Sequence, residues 1–160
     1  MKSEPDVFGV EHLKRRPGCT ASWDGVRNYQ ARNFMRAMKR GDLAFFYHSS
    51  CAEPGVAAIV EIVKQAYPDS TAWDKNSEYY DARSTPEKPI WDMVDVKLVR
   101  QLDRPVTLAK IKSRPQLRSM KLVQRGNRLS VMPVTALEWR TILALADQGT
   151  IETKEKLHEN

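Results

Sequence analysis

The sequence has few of the residues that build disulfide frameworks or metal sites. It contains two cysteines, Cys19 and Cys51, and three histidines, His12, His48 and His158. Two cysteines in a chain that shows no export signal are typical of reduced thiols. The histidines are scattered, and none is spaced with a cysteine as zinc ligands usually are. We therefore expect no metal ion.

Long apolar runs and nucleotide-binding motifs are also missing. No run approaches the roughly 20 apolar residues that a membrane-spanning helix needs. The first residues, MKSEPDVF, lack the apolar core of a signal peptide. These features predict a cytoplasmic protein, or a nuclear one in a eukaryote, without a membrane partner. The patterns GxGxxG, P-loop and HExxH do not occur, so no cofactor is predicted.

The chain does have enough residues for one domain and an excess of positive charge. Its 160 residues, 41% of them hydrophobic and 29% charged, are typical of one soluble globular domain. The 26 lysines and arginines outnumber the 20 acidic residues, which gives a formal net charge of +6. A positive field attracts anionic partners such as nucleic acids. Composition alone does not separate such a binder from a merely basic protein.

The clearest predicted helix follows Asn28. Apolar residues recur there at positions i, i+3, i+4 and i+7, which places them on one helix face. Asn28 is the predicted N-cap, and Gly41 is the predicted end after a basic last turn. The predicted buried face consists of Ala31, Phe34, Met35 and Met38.

Further elements follow from alternating patterns and turn residues. Helices are predicted over residues 7–16 and from Thr135, which forms a capping box with Glu138, to Gly149. The polar segment 67–89 is the longest predicted loop. Strands are predicted over residues 42–49, 55–63, 90–100 and 128–132. A strand-rich middle with helices at both ends predicts an α+β domain with a small, mainly antiparallel sheet or barrel.

Several sequence blocks carry a resemblance to a known family. They are MKSEPD at 1–6, WDGVRNYQARNFMR at 23–36, GD at 41–42, FFYHSS at 45–50, PGVAAIVEIV at 54–63 and PxWDMVDVK at 89–97. In this order and spacing they resemble the EVE domain, a member of the PUA-like superfamily. The resemblance implies a pseudo-barrel of mainly antiparallel strands with surrounding helices. It implies an EVE domain over residues 1–148, followed by a polar C-terminal tail over 149–160.

The resemblance also implies a function. EVE-like and related domains are non-enzymatic binders of a modified nucleobase, so the expected partner is DNA or RNA that carries a modified cytosine or adenine. Such a pocket must hold an unstacked base against aromatic faces and satisfy its hydrogen-bonding edge. The predicted pocket residues are Lys2, Ser3, Trp23, Arg27, Asn28, Tyr29, Tyr47, His48, Ser49, Leu129 and Ser130, with Trp91 in reserve. The predicted phosphate contacts are Arg32, Arg36 and Arg128.

Several of these residues also have an ordinary structural explanation. Trp23 is either a stacking plate or a core anchor, since tryptophan is mostly buried in proteins. Tyr47 lies in a continuous apolar strand, where tyrosine usually packs. Asn28 can act as a helix cap alone. Arg32 and Arg36 occupy the polar face of an amphipathic helix, which is commonly only solvated.

Three other functions remain open at this stage. The first is a general PUA-like RNA-binding module that does not distinguish modified bases. The second is a small enzyme that uses His48, but no acid partner that could orient this histidine is identifiable. The third is a protein-interaction domain without a ligand pocket. A basic composition and the EVE-like blocks favour the modified-base reader over all three.

Overall fold

The structure is a computed structural model that describes residues 1–158, apart from the side chain of residue 153. Five strands form its sheet: β1 Lys2–Ser3, β2 Thr20–Trp23, β3 Leu43–His48, β4 Gly55–Pro68 and β5 Asp92–Thr107. Five helices surround the sheet: α1 Pro5–Phe8, α2 Val10–Arg15, α3 Tyr29–Ala37, α4 Leu108–Lys112 and α5 Ala136–His158. Short 3₁₀ turns connect them at Pro17–Cys19, Ser70–Trp73, Pro115–Leu117 and Lys121–Val123.

The sheet confirms the predicted α+β class. Its strand order is β1-β3-β4-β5-β2, and every pairing is antiparallel except the parallel pair β1 and β3. The long strands β4 and β5 pair with several register shifts, and such bulges bend a sheet. The short strands β1 and β2 remain at opposite edges. The sheet is therefore an open, bent pseudo-barrel.

The alternation of side chains along β3 divides the interior into two cores. Successive strand residues face opposite sides of a sheet, so Phe46 enters one core and Phe45 and Tyr47 enter the other. In the first core, Phe46 contacts Trp23 edge-to-face with ring centroids 5.1 Å apart. In the second core, Phe45 stacks on Trp139 of α5 at 3.9 Å. Adjacent residues of β3 therefore pack in different hydrophobic cores.

Helix α3 begins as predicted and ends earlier. The Asn28 side-chain oxygen accepts a hydrogen bond from the Ala31 N–H at 3.0 Å, which confirms the N-cap. The helix ends at Ala37, and Met38 already has an extended backbone. Gly41 is therefore not the helix end. Its N–H instead donates to the carbonyl of Ile62 at 2.8 Å, which ties the following turn to β4.

Other predicted boundaries are wrong as well. The first predicted helix is divided at Gly9, whose extended backbone separates α1 from α2. No strand forms over residues 128–132; the carbonyl of Ser130 accepts a hydrogen bond from the Lys2 N–H at 2.7 Å, but no ladder follows. Helix α5 does not end at Gly149 but continues to His158, because a glycine costs a helix only about 1 kcal/mol.

The predicted polar tail is thus helical up to His158, and residues 159–160 lie outside the described part of the chain. The Thr135–Glu138 capping box at the start of α5 is confirmed, with reciprocal hydrogen bonds of 3.2 and 3.3 Å. A domain boundary at residue 148 stays a prediction.

Candidate nucleic-acid interface

A largely polar cavity of about 950 Å³ lies beside the edge strand β1. Its walls come from β1, from the end of β2 and the loop after it, from the residues that follow β3, and from residues 128–130. The parallel pairing of β1 with β3 brings Ser49 next to Ser3, whose carbonyl accepts from the Ser49 N–H at 3.0 Å. Seven predicted site residues line this cavity: Lys2, Ser3, Trp23, Ser49, Arg128, Leu129 and Ser130.

Trp23 lines the cavity but is mainly a core residue. Only 6% of its surface is exposed. Its ring is held edge-to-face between Phe46 at 5.1 Å and Phe8 at 6.3 Å. The structure therefore makes Trp23 a core anchor that also borders the cavity, and its role as a stacking plate stays a prediction. A base would meet a limited part of this ring, not an exposed stacking plate.

Tyr47 and His48 do not line the cavity. Tyr47 lies on the opposite side of the sheet, where it borders a second, mainly apolar cavity of about 520 Å³ between β3 and the start of α5. The His48 ring accepts a hydrogen bond from the Val10 N–H at 3.2 Å through Nε2 and packs on Phe46. Burial lowers the pKa of His48. The structure thus gives both residues structural contacts and does not bring either of them to this cavity, where the sequence placed them.

Arg27 is part of a buried ion pair. Its Nη1 donates to the Asp69 carboxylate at 2.9 Å, while Nε donates to the carbonyl of Tyr79 at 2.9 Å and Nη2 to Thr71 at 3.2 Å. Asp69 is fully buried. Since these bonds engage every nitrogen of its guanidinium group, Arg27 positions the 69–79 loop. It does not line the cavity, contrary to its predicted role.

The same ion pair shapes one wall of the cavity through Gly25. The Asp69 oxygen that accepts from Arg27, Oδ2, also accepts from the Gly25 N–H at 2.9 Å. Gly25 has a φ of +76°, which glycine adopts readily. A Cβ atom there would lie 2.7 Å from the Tyr79 ring. Glycine therefore allows Tyr79 to lie directly over the backbone and to complete the cavity wall.

Tyr29 belongs to an aromatic stack outside the cavity. Its exposed ring stacks on the buried Trp91 with centroids 4.8 Å apart. The guanidinium group of Arg32 lies 4.9 Å from the Tyr29 ring and donates to the carbonyl of Ile90 at 2.9 Å. Asn28 caps α3 beside this stack. These residues fix α3 against the 69–91 loop, so the structure does not bring them into the pocket as predicted.

The predicted phosphate contacts differ in whether they already interact with other residues of the protein. Arg36 forms an ion pair with Asp92, and Arg32 is engaged as described above. Arg128 is exposed at the cavity and forms no ion pair within residues 1–158. Lys2 also lines the cavity, and burial lowers the pKa of its ammonium group. Arg16, which is exposed, also lines the cavity without an ion pair among the described residues, so the unpaired positive charge at the cavity comes from Lys2, Arg16 and Arg128.

Sequence reasoning missed several polar residues of the wall. Asp24 lines the cavity without an ion pair among the described residues. Burial, followed by the nearby charge of Asp69, raises the pKa of the Asp24 carboxyl. Ser22 and Tyr79 also border the cavity. Asp24 and Gly25 belong to the WDGV block, so the signal for them was present, whereas Tyr79 lies in a loop whose fold depends on Asp69.

Within residues 1–158, no group of three or more His, Cys, Asp or Glu side chains is arranged to hold a metal ion. In the same part of the chain, no helix is both long enough and apolar enough to cross a membrane.

An open, mainly antiparallel sheet with helices around it and a polar cavity at one edge defines a small α+β binding domain. The EVE domain model matches residues 1–145. The chain therefore belongs to the EVE domain family.

Several known relatives cover most of the chain. Human thymocyte nuclear protein 1 is 47% identical over 92% of this chain and 73% of its own length. A crystal structure of a Pseudomonas syringae protein has 55% identity and a TM-score of 0.88, and covers 91% of this chain and 97% of that one. A crystal structure of human THYN1 in complex with DNA that contains 5-methylcytosine has 48% identity and a TM-score of 0.87. It covers 91% of this chain and 95% of that chain.

Proposed function

We propose that this chain is a non-enzymatic nucleic-acid-binding domain that recognises one modified nucleobase in the cavity beside β1. The observation that carries the proposal is the convergence of three family blocks on this single cavity of about 950 Å³. The THYN1 structure with 5-methylcytosine DNA supports a modified cytosine as the base. The volume is within the range of small-molecule sites and is large enough to admit one flipped nucleotide.

The cavity wall offers the hydrogen-bonding groups that a cytosine needs. A carboxylate is a suitable acceptor for the exocyclic amino group of cytosine, and Asp24 supplies an unpaired one. Serine hydroxyls both donate and accept, and Ser22, Ser49 and Ser130 border the same space. In this proposal Asp24 reads the amino edge, while the exposed part of the Trp23 ring contacts the face of the base.

The proposal includes no catalytic step. His48 is held by Val10 and does not line the cavity, so the enzyme hypothesis loses the residue on which it rested. We keep DNA or RNA as the partner. We also keep a cytoplasmic location, or a nuclear one in a eukaryotic cell; the name of the human relative, thymocyte nuclear protein 1, supports only the nuclear location.

Binding to matched oligonucleotides tests the proposal. Strands that differ only in one base, cytosine or 5-methylcytosine and adenine or N6-methyladenine, are titrated as single strands and as duplexes. We expect tighter binding to a modified strand. Equal binding to all of them would refute modified-base recognition, and a uniform preference for RNA would favour the general RNA-binding module.

Asp24→Ala tests the assigned acceptor. Loss of a good base contact costs about 1–3 kcal/mol, or roughly 5- to 150-fold in affinity. The matched control is Asp103→Ala, because Asp103 is an exposed acid of β5 that does not line the cavity. Because cytosine and 5-methylcytosine carry the same amino group, we expect Asp24→Ala to weaken binding to both strands and Asp103→Ala to keep the wild-type affinity. Equal affinities of the two variants for the 5-methylcytosine strand would exclude Asp24 from base recognition.

A further inference from the structure

The segment between Asp103 and Glu138 has an exceptional charge distribution. Residues 104–137 contain no acidic residue and eight basic ones: Arg104, Lys110, Lys112, Arg114, Arg118, Lys121, Arg125 and Arg128. Since the whole chain has a net charge of +6, all other residues together are slightly acidic. The net positive charge of this protein therefore comes from one stretch of the chain, which reaches the cavity at Arg128.

None of these eight side chains forms an ion pair within the described residues. Six of them are exposed, and only Lys110 and Arg114 are half-buried. By contrast, Arg27, Arg36, Arg83 and Arg100 elsewhere in the chain are each paired with an aspartate. Arginines and lysines that lack internal partners are available to an anionic ligand.

The last part of this segment, from Arg118 to Arg128, is a loop with a fixed shape. The Gln124 side chain donates to the carbonyl of Arg118 at 2.8 Å, and the Asn127 side chain donates to the carbonyl of Lys121. The Asn127 oxygen in turn accepts from the Leu129 N–H at 2.9 Å. Polar side chains thus bind the loop backbone internally, which leaves its basic side chains free and limits the conformational entropy lost on binding.

The loop is also anchored at both ends. Buried Leu117 and Met120 hold its start in the second core. Its far end reaches the cavity through Arg128, Leu129 and Ser130. Because the Ser130 carbonyl accepts from the Lys2 N–H at 2.7 Å, this end is fixed to the edge strand β1. The loop therefore carries four exposed basic side chains, and the last of them, Arg128, lines the cavity.

We propose that the loop Arg118–Arg128 binds the phosphate backbone of the strand whose base occupies the cavity. This inference rests on the proposed function, and it adds the element that provides affinity while the cavity provides selectivity. Phosphate contacts position a strand and carry no sequence information. A nucleic acid is the occupant because Arg128 belongs to both the basic loop and the base cavity, whereas an acidic protein or a lipid surface would require only the charge.

A charge-neutralising triple variant tests the loop. Arg118, Lys121 and Arg125 are replaced by glutamine, and Arg128 is kept so that the cavity wall remains intact. The control triple variant replaces Arg40, Lys75 and Lys97 by glutamine as well. These three side chains are exposed, lie outside the cavity and form no ion pair among the described residues. Both variants lose the same charge. Circular dichroism confirms that each is folded.

The measurement is the affinity for the modified oligonucleotide over a range of salt concentrations. Each lost phosphate contact lowers the slope of log K against log salt by about 0.7–0.9. We expect the three substitutions in the loop variant to lower the slope of log K against log salt by about two to three in total. At 0.1 M salt, each lost contact should reduce the affinity by up to roughly tenfold. Its preference for the modified base should remain, and the control variant should keep most of the slope.

The two proposals fail in different ways. Equal slopes for the loop and control variants, together with an intact preference for the modified base, would overturn the loop assignment and leave the proposed function standing. A wild-type protein without any base preference would overturn the proposed function, whatever the slopes are. Binding of the loop variant with unchanged affinity at low salt would likewise exclude the loop as the backbone-binding element.

Discussion

Replacement of Asp69 by asparagine should destabilise the protein strongly, because Asp69 joins the longest loop to the cavity wall. Its carboxylate is fully buried and accepts four hydrogen bonds. One oxygen accepts from Arg27 and Gly25, and the other accepts twice from Thr71 at 2.9 and 2.6 Å. An amide keeps only one of these acceptors. If the remaining amide oxygen of asparagine faces Thr71, its NH₂ group faces the N–H donors of both Arg27 and Gly25.

The structure sets the size of the expected loss. Removing one partner of a buried ion pair costs about 3–5 kcal/mol, because the other charge stays buried. The Arg27 side chain retains 21% of its exposure, so some water reaches it and the lower end applies. With about 2–4 °C per kcal/mol for a domain of this size, we expect the melting temperature to fall by about 6–12 °C. Calorimetry or circular dichroism at pH 7 measures this change.

A double-mutant cycle is the control for this prediction. Replacing Arg27 by methionine as well removes the unpaired charge, so the double variant should be less destabilised than the sum of the single variants. Additive effects, or a melting temperature within about 2 °C of the wild type for Asp69→Asn, would show that the ion pair is not energetically coupled as the geometry indicates.

The pH dependence gives a second check on Asp69. Burial alone would raise the pKa of this carboxyl, but the hydrogen bonds from Thr71, Gly25 and Arg27 outweigh it and lower the pKa below 3.8. A lowered folded-state pKa stabilises the protein above the unfolded value, and this contribution is lost as the pH falls through the folded value. The difference between wild type and Asp69→Asn should therefore persist at pH 5 and shrink only in strong acid.

Two further variants examine the cavity wall. Gly25→Ala should cost more stability than Gly126→Ala, because both glycines have φ near +77° but only at Gly25 would the new Cβ lie 2.7 Å from the Tyr79 ring. Backbone strain alone costs about 1–3 kcal/mol in either variant. Equal losses of unfolding free energy in urea would contradict the close approach of Tyr79. Asp24→Asn should stabilise the protein at pH 7. Burial is the main cause of the raised pKa of Asp24, so the charged carboxylate disfavours folding above the folded-state pKa. Below about pH 3.8 the carboxyl is protonated in both the folded and the unfolded protein, so the stability gain of the variant should vanish there. A stability gain that is the same at pH 3.5 and pH 7 would exclude this explanation.

Features of the chain that depend on neighbouring residues were predictable from the sequence. The Asn28 cap needs only the N–H three residues later, and β3 over Leu43–His48 follows from a run of apolar and aromatic residues. Residues of the blocks at 1–6 and 23–36, with Ser49 and residues 128–130, line one cavity; that a base binds there stays a prediction. The boundaries that failed, at Gly9 and Gly149, are positions where tertiary packing or helix continuity outweighs the preference of a single residue.

The roles of individual arginines were not predictable in this way. Arg27 lies in the most distinctive block, yet its partners are 42 to 52 residues away in a loop without regular periodicity. Arg128 lies in a segment that was predicted as a strand, yet it lines the cavity without an ion pair among the described residues, as Arg16 does. Whether a charged side chain is paired or available depends on which distant carboxylate the fold brings beside it, and no local pattern records that distance.

The sequence by itself therefore determined the α+β class, the EVE family, the start of α3 and the set of segments that meet around the cavity. Only the tertiary structure decided which residues face that cavity. The pleat of β3 sends Tyr47 to the opposite core, and the buried Asp69 takes Arg27 out of reach of a ligand. The physical reason is that local periodicity fixes which face of an element is apolar, whereas the contacts of a polar side chain depend on long-range packing.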